Sequence, residues 1–383
     1  MKVLTNIRFY GLAGIAQYLG HLIRHNETAE DGVMICGIDI SHPDRPSAAP
    51  NLELLSMQRF ELILKESAYP AIEERIKSVA SLEALREAYA PLVETYHAAI
   101  LEAKPDVIVI NGTYLLPWCL LIAARRYAKA KIVVHYHGIL KKEVAHWKEE
   151  SAKALFLEME RDFDIADASY IFPSELAKRT VEQEVFGHGI EHALVLPNPV
   201  PDHFFESTAP RERASATQVG VVSRWTSVKG VAFLESLARR AHESGRYTFN
   251  VISNLEEGSE RYEELSPYMR LHTAVDNSDL PSFYRSQGII LTPSRFETYG
   301  NVPQEALAAG TPVLVSSSSG VAETLRKLGL EQYIDDFSSV DAVLARIDAI
   351  AGTSVPDHAR ATLRKEYTAA SIFKRYFAYL AQP

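Results

Sequence analysis

The sequence predicts an α/β protein made of two successive doubly wound domains, and three observations lead to this fold class. Short runs of β-branched and apolar residues alternate with amphipathic stretches along almost the whole chain. The predicted strands are nearly continuous apolar runs, as expected for parallel strands that helices cover on both faces. The alternation pauses between residues 197 and 217, where four prolines and little periodicity indicate a linker.

Length and composition agree with this fold class. The 383 residues are 47% hydrophobic and 23% charged, which suits two or three globular domains, each with its own core. The same figures exclude a disordered chain, a collagen and a coiled coil. A formal charge of −9 argues against a dedicated nucleic-acid binder, although it allows a local cationic pocket for one small anion.

The first predicted domain covers residues 1–198. Its predicted strands, in order, are 2–6, 33–38, 106–110, 131–136, 169–172 and 193–196. Amphipathic spacing predicts helices between them at 14–25, 82–103, 117–130, 149–164 and 174–186. Strands that alternate with helices in this way form a parallel sheet.

The second predicted domain covers residues 199–366 and repeats the pattern. Its predicted strands are 218–222, 247–252, 270–273, 288–291 and 312–316. Its predicted helices are 231–244, 279–286, 302–309, 321–328 and 340–351, and a long helical pattern at 358–380 ends the chain. Because open parallel sheets bind ligands at the carboxyl ends of their strands, we look for chemistry just after each strand.

The sequence predicts a cytoplasmic protein without a membrane span. Cys36 and Cys119 lie far apart and outside any metal-ligand spacing, as in reduced proteins. The N-terminus has no signal-peptide pattern, and the uncharged stretch 107–124 is interrupted by Asn111-Gly112-Thr113 and Pro117. Four cations between Arg125 and Lys131 indicate a solvated helix end, and since neither half of the chain is basic, charge does not support peripheral membrane contact.

Two cations follow the first strand of the second domain. Arg224 and Lys229 lie on the predicted strand-to-helix turn, and Gly230 opens the next helix. A guanidinium, an ammonium and the N–H groups of a helix start can together bind a dianion. The alternative is a pair of solvated surface cations beside a turn.

The densest signal is SRFETYGNVPQEALAAGTPV, which follows the strand at 288–291. Glu297 lies on the loop, Asn301 is the predicted N-cap and Glu305 lies near the start of the helix. Gly300, Asn301 and Val302 offer backbone N–H groups to phosphate or sugar oxygens. The two carboxylates could accept hydrogen bonds from sugar hydroxyls, or they could simply favour the helix dipole.

In the first domain, His137 directly follows the predicted strand 131–136, and Gly14 follows the predicted strand 2–6. Alternation places His135 and His137 on one face, but no further ligand at suitable spacing supports a metal site. We expect His137 at a cleft rim, with a core histidine as the alternative. Gly11 and Gly14 form a turn into a helix, and this turn lacks the dinucleotide-binding G-x-G-x-x-G pattern.

Together these motifs resemble the retaining glycosyltransferases of family 4 (glycosyl transferases group 1), which have the GT-B fold. The resemblance rests on Ser223-Arg224…Lys229-Gly230, on the E-x7-E pair Glu297 and Glu305, on His137-Gly138 and on Leu196-Pro197-Asn198-Pro199. It implies two Rossmann-like domains that face each other across a cleft, the first for the acceptor and the second for the donor. It also implies that the last helix, 367–383, packs back on the first domain.

The resemblance further implies an activity and roles for the site residues. The enzyme would transfer a sugar from a nucleoside-diphosphate sugar to a glycan, lipid-linked or small-molecule acceptor, with retention and without a metal or other cofactor. Arg224 and Lys229 would hold the diphosphate, Glu305 the ribose, and Glu297 and His137 the transferred sugar. Gly300, Asn301 and Val302 would contact sugar or phosphate through the backbone, and Gly14 would start the helix that approaches the diphosphate.

The implied roles of Arg224 and Lys229 are chemically reasonable, because fixed cations stabilise the negative charge that develops on a departing diphosphate. Two alternatives stay open. One is another GT-B enzyme, such as a nucleotide-sugar epimerase or a phosphorylase-like enzyme, and the other is a non-catalytic nucleotide-sugar-binding protein.

Overall fold

The protein is described here by a computed structural model. It describes residues 1–7, 14–29, 32–39, 52–54, 79, 81–206, 216–273 and 275–382. Within these ranges the chain separates into two compact units. Unit 1 contains residues 1–173, 177–196 and 373–383, and unit 2 contains residues 174–176 and 197–372.

Unit 1 is built on a parallel sheet of seven described strands in the order β3-β2-β1-β4-β5-β6-β7. The strands are β1 Lys2–Ile7, β2 Met34–Asp39, β3 Leu52–Leu54, β4 Val107–Asn111, β5 Lys131–His135, β6 Ser169–Phe172 and β7 Ala193–Val195. Every residue of β4 is buried, which explains the continuous apolar run in its sequence.

Helices follow the strands of unit 1. They are α1 Gly14–Thr28, α2 Leu82–Ala88, α3 Ala90–Ala103, α4 Leu115–Ala124, α5 Leu140–Glu143, α6 Glu150–Arg161 and α7 Glu175–Thr180, the last continued by a π-helical turn, Val181–Phe186. The predicted single helix at 82–103 is wrong, because the chain breaks at Tyr89. Pro91 lies in the first turn of α3, and its ring would clash with the Glu87 carbonyl in a continuous helix.

Unit 2 repeats the architecture with a parallel sheet in the order β10-β9-β8-β11-β12-β13. Its strands are β8 Gln218–Val222, β9 Thr248–Ile252, β10 Met269–His272, β11 Ile289–Thr292, β12 Val313–Ser316 and β13 Ile334–Asp335. Its helices are α8 Val231–Ser244, α9 Glu260–Leu265, α10 Leu280–Ser286, α11 Asn301–Ala308, α12 Val321–Lys327, α13 Val340–Ile350 and α14 Asp357–Glu366. The predicted α/β class with two Rossmann-like sheets is therefore confirmed.

The end of the chain differs from the single helix predicted at 358–380. It forms α14 and then α15, Ala369–Leu380, with a break at Tyr367 and Thr368. At the break the Val200 N–H donates to the Tyr367 carbonyl at 2.7 Å, and Val200 pairs with Thr368. After this break, Phe373 and Tyr376 of α15 belong to unit 1 and are buried.

Candidate functional site

Topology points to one place in unit 2 where a ligand would bind. Strand order reverses between β8 and β11, since the chain moves outward from β8 to β10 on one side and from β11 to β13 on the other. Ligands of open parallel sheets bind at such a switch point, beyond the carboxyl ends of the two central strands. The loops that follow β8 and β11 carry the two motifs singled out in the sequence.

The two loops are in direct contact. The Arg295 N–H donates to the Val228 carbonyl at 2.8 Å, which links the loop after β11 to the 3₁₀ turn Ser227–Lys229. Gly230 has φ +74°, and a Cβ at this position would lie 2.1 Å from the Pro293 carbonyl oxygen. Only glycine allows this close backbone approach, so the position of Gly230 brings the two loops together.

Lys229 and Glu297 meet at this contact. The Lys229 ammonium forms an ion pair with Oε2 of Glu297, and the Ser294 hydroxyl lies 3.4 Å from the same oxygen. Their side chains are 21% and 23% exposed, so the pair is partly shielded from water and still reachable. It places a cation and a carboxylate in contact at the switch point.

Main-chain hydrogen bonds hold Glu297 in place. Its N–H donates to the Ser318 carbonyl at 3.2 Å, and its carbonyl accepts from the Gly320 N–H at 3.0 Å. Glu297 is thus anchored to the turn after β12 through its backbone, which leaves the carboxylate to interact with ligands and with Lys229.

Arg224 lies apart from this pair. Its side chain is exposed, and no contact of its guanidinium with another predicted site residue is found in the described part of the chain. Its loop is nonetheless fixed, because the Trp225 N–H donates to Asn254 Oδ1 at 2.6 Å and the Trp225 indole donates to Glu235 at 3.1 Å.

The start of α11 corrects one sequence prediction. Gly300, with φ +98°, is the N-cap, whereas Asn301 is the first helical residue and makes no capping hydrogen bond. The Oδ1 atom of Asn301 instead accepts from Asn198 Nδ2 at 2.8 Å. The neighbouring Gln304 is also bound elsewhere, since its Nε2 donates to the Asn198 carbonyl at 3.0 Å and its Oε1 accepts from the Tyr299 hydroxyl.

The first turn of α11 retains the groups that the sequence predicted for oxygen binding. The N–H groups of Asn301 and Val302 belong to this turn, where a helix supplies no internal acceptor. The Val302 side chain is half-buried and packs against the core of unit 2. Val302 would therefore contact a ligand through its backbone N–H group.

Glu305 is buried, 7% exposed, one helical turn further along. Its Oε2 accepts from the Tyr284 hydroxyl at 2.9 Å. Burial raises the pKa of Glu305 to about 7, and the hydrogen bond from Tyr284 counteracts part of this rise. Tyr284 was not predicted as a site residue, since it lies in a different helix, 21 positions earlier.

Unit 1 has its own switch point between β1 and β4, and His137 lies beside it. The Nε2 atom of His137 is 3.1 Å from Asn111 Oδ1, at the end of β4. His135 and His137 share one face, as predicted, with ring centroids 4.1 Å apart. Among the described residues no group of three or more His, Cys, Asp or Glu side chains could hold a metal ion.

Gly14 is the remaining predicted site residue, and the structure describes only part of its surroundings. Gly14 is exposed and begins α1, but residues 8–13 of the predicted glycine turn lie outside the described residues. Within the described segments no helix is long and apolar enough to cross a bilayer. Asn111, Asn198 and Tyr284 were not predicted as site residues. The sequence contains a signal for Asn111, its place at a strand end, and for Asn198, its place in the motif Leu196-Pro197-Asn198-Pro199, but none for Tyr284.

Comparisons with known proteins agree with this architecture. Residues 208–361 match the family model described as glycosyl transferases group 1. A Klebsiella pneumoniae protein, described as an uncharacterized 41.2 kDa protein in a cps region, is 28% identical over 145 residues, which span 38% of this chain and 38% of that protein.

Two solved structures resemble the whole chain. Sucrose-phosphate synthase from Thermosynechococcus elongatus has a TM-score of 0.72 at 17% identity and covers 99% of this chain and 100% of its own. A structure described as trehalose-6-phosphate from E. coli bound with UDP-2-fluoro glucose has a TM-score of 0.66 at 14% identity, with coverage of 100% and 99%. At these identities the likeness concerns the fold, which is of the GT-B type.

Proposed function

We propose that the protein is a glycosyltransferase that uses a nucleoside-diphosphate sugar, since residues 208–361 match the family model described as glycosyl transferases group 1. The observation that carries the proposal is the Lys229–Glu297 contact at the switch point of unit 2. It lies inside the segment that matches the family, and the start of α11 follows Glu297 directly.

The diphosphate of the donor would bind where cations and N–H groups converge. An ammonium has three donors, so Lys229 can bind a phosphate oxygen while it keeps its bond to Glu297. The N–H groups at the start of α11 suit a second oxygen. Arg224, which is exposed on the neighbouring loop, would complete the anion site as the donor binds.

The two carboxylates would recognise hydroxyl groups. Glu305, when ionised, accepts hydrogen bonds from the ribose diol, and the bond from Tyr284 fixes the direction of its carboxylate. Glu297 would accept from a hydroxyl of the transferred sugar, next to the departing phosphate. The roles of His137 and Gly14, which lie in unit 1, stay predictions from the sequence.

The transfer step would retain the anomeric configuration. The bond between the anomeric carbon and the β-phosphate oxygen breaks, and the acceptor hydroxyl oxygen bonds to that carbon from the same face. The proton of the hydroxyl passes to the leaving phosphate oxygen. Lys229 and Arg224 stabilise the negative charge that grows on the diphosphate, so no metal ion is needed.

The acceptor would be a hydroxyl of a glycan, a glycolipid or a small molecule, bound by unit 1, and the enzyme would act in the cytoplasm. The matched segment spans less than two fifths of the Klebsiella relative's length, so the acceptor is proposed from the chemistry and not carried over from that relative.

A donor screen tests the proposal. UDP, GDP and their hexose derivatives are compared by thermal shift, with UMP and inorganic phosphate as controls, and products with the best donor are identified by mass spectrometry. We expect a rise in Tm with one diphosphate and slow donor hydrolysis that EDTA does not inhibit. If no nucleoside diphosphate raises the Tm, the proposal is wrong, and epimer formation without acceptor would identify the other GT-B chemistry instead.

A further inference from the structure

Hydrogen bonds fix the peptide that joins Arg224 to Trp225, on the loop after β8. The Arg224 carbonyl accepts from the Thr226 N–H at 3.0 Å and from the Ser223 hydroxyl at 3.1 Å. At the other end of the same peptide, the Trp225 N–H donates to Asn254 Oδ1 at 2.6 Å. Because a peptide unit is planar, hydrogen bonds at both of its ends restrict its rotation, and the main chain that carries the Arg224 side chain is held.

The Trp225 side chain provides a second anchor. Its indole N–H donates to Glu235 Oε1 of α8 at 3.1 Å, and Glu235 also forms an ion pair with Arg261 of α9. The Glu235 side chain is only 14% exposed, so water competes little for its carboxylate. The Trp225 ring is half-buried and packs against the core of unit 2. The turn is therefore held from α8 as well as from the loop after β9.

The exposed Arg224 side chain extends from this fixed main chain. When an anion binds, only the side chain has to be ordered, because the loop is ordered already. A guanidinium held in place in this way stabilises a developing negative charge without further rearrangement of the loop. If the loop could rotate, the guanidinium would spend part of its time away from the anion.

We propose that Asn254 and Trp225 are positioning residues that hold Arg224 in place for the diphosphate of the donor. The inference rests on the proposed function and adds two residues that act through Arg224. Asn254→Ala should lower kcat/KM for donor hydrolysis by about 10-fold, which corresponds to the loss of one hydrogen bond. Arg224→Ala removes the guanidinium itself and should lower kcat/KM by about 10²-fold.

Double substitutions distinguish positioning from direct contact with the ligand. Asn254→Ala should cost about 10-fold both in the wild type and in Lys229→Ala, but nothing further in Arg224→Ala, because the group that it positions is then absent. Steady-state hydrolysis of the best donor from the screen measures each effect. A further 10-fold loss in the Arg224→Ala background would overturn the proposal, since Asn254 would then act on its own.

Glu235→Ala and Trp225→Phe test the second anchor. The phenylalanine keeps an aromatic ring and removes the indole N–H, so both variants should lose activity as Asn254→Ala does. Glu264→Ala is the matched control, because Glu264 is the other carboxylate partner of Arg261 and is exposed. It should leave kcat/KM unchanged. Equal losses in Glu235→Ala and Glu264→Ala would overturn the role of Trp225.

Trypsin measures how firmly the turn is held, without any nucleotide. It cleaves after Arg224, and a fixed turn resists cleavage, so the fragment that begins at Trp225 should appear faster in Asn254→Ala and in Glu235→Ala. Cleavage after the exposed Lys327 of α12 should keep its wild-type rate, which serves as a control for general unfolding.

The two kinds of measurement separate this inference from the proposed function. An unchanged rate of cleavage after Arg224 in both variants overturns the hold on the turn. If cleavage is faster as expected but no nucleoside diphosphate raises the Tm, the proposed function fails together with the diphosphate as the target of Arg224, and the hold on the turn stands.

Discussion

The ammonium of Lys229 forms an ion pair with Oε2 of Glu297, 68 residues later in the chain. The two residues follow strands β8 and β11, which are neighbours only because the strand order of the sheet reverses between them. The pair thus results from the topology of unit 2, and the contact between Gly230 and Pro293 holds the loops close enough for it to form.

Lys229→Ala should lower donor hydrolysis by about 10²- to 10³-fold, because it removes a fixed charge that stabilises the leaving diphosphate. The free energy of unfolding should change by no more than about 1 kcal/mol, since both side chains remain partly exposed. Steady-state kinetics and urea unfolding of the same samples measure the two effects.

Lys327→Ala is the matched control, because Lys327 is an exposed cation of α12 in the same unit. It should leave both quantities unchanged. A Lys229→Ala enzyme with wild-type kcat would contradict the role of this residue at the diphosphate.

Glu305 should make unit 2 less stable as the pH rises. Its pKa in the folded chain is about 7, against an ordinary value of 4.5, so the folded state binds more protons than the unfolded state between these two values. Stability is therefore lost as the pH rises from about 4.5 to 7, by about 3 kcal/mol at most. Glu305→Gln should show a smaller decline in Tm between pH 5 and pH 8 than the wild type.

Part of the decline will remain in Glu305→Gln, because burial also raises the pKa of Glu160 in unit 1 to about 7. The exposed Glu366 serves as control, and Glu366→Gln should follow the wild-type curve. Nucleotide affinity should increase with pH through the same window, since the ionised carboxylate is the better acceptor for a ribose diol. A Tm profile of Glu305→Gln that is identical to that of the wild type would refute the assigned pKa.

The local sequence was sufficient to predict eleven of the thirteen described strands, all except the short β3 and β13, and most of the site loops. Parallel strands are nearly continuous apolar runs, and the turns after them carry recognisable glycines and cations, so Lys229, Gly230 and Glu297 could be found without coordinates. Long-range contacts could not be predicted in this way. Asn301 fits an N-cap by sequence, yet Asn198, 103 positions earlier, binds its side chain, and Gly300 caps the helix instead.

The helix breaks illustrate the same difference. Pro91 was a local signal for the break at Tyr89, and the amphipathic pattern across it concealed the break. By contrast, the break at Tyr367 depends on the pairing of Val200 with Thr368, which no local pattern indicates.

Gly230→Ala should destabilise the chain and reduce donor hydrolysis together. The new methyl group would lie 2.1 Å from the Pro293 carbonyl oxygen, so the loops that bring Lys229 to Glu297 must separate. We expect a loss of about 2 kcal/mol or more, above the roughly 1 kcal/mol that positive φ costs a non-glycine residue.

Gly245→Ala, at the other end of α8, separates these two contributions. Gly245 has φ +63°, but no atom lies within 4 Å of the site of its Cβ. This variant should lose about 1 kcal/mol and keep full activity. Equal effects of the two substitutions on urea unfolding and on kcat would show that the contact with Pro293 is unimportant.

Phe373→Ala should destabilise unit 1 while it leaves unit 2 largely unaffected. The Phe373 ring is fully buried, 5.3 Å from the Tyr18 ring of α1, and the neighbouring Tyr376 packs 6.0 Å from the His135 ring. Its truncation removes aromatic contacts from a closed core, which costs about 3–5 kcal/mol. Hydrogen exchange should therefore be faster for the amides of β4 and β5 and unchanged for those of β11 and β12.

Phe377→Ala is the control. Phe377 lies on the same helix but is only half-buried, so its substitution should have a clearly smaller effect. Uniformly faster exchange in both units would show that α15 stabilises the whole chain and not unit 1 alone.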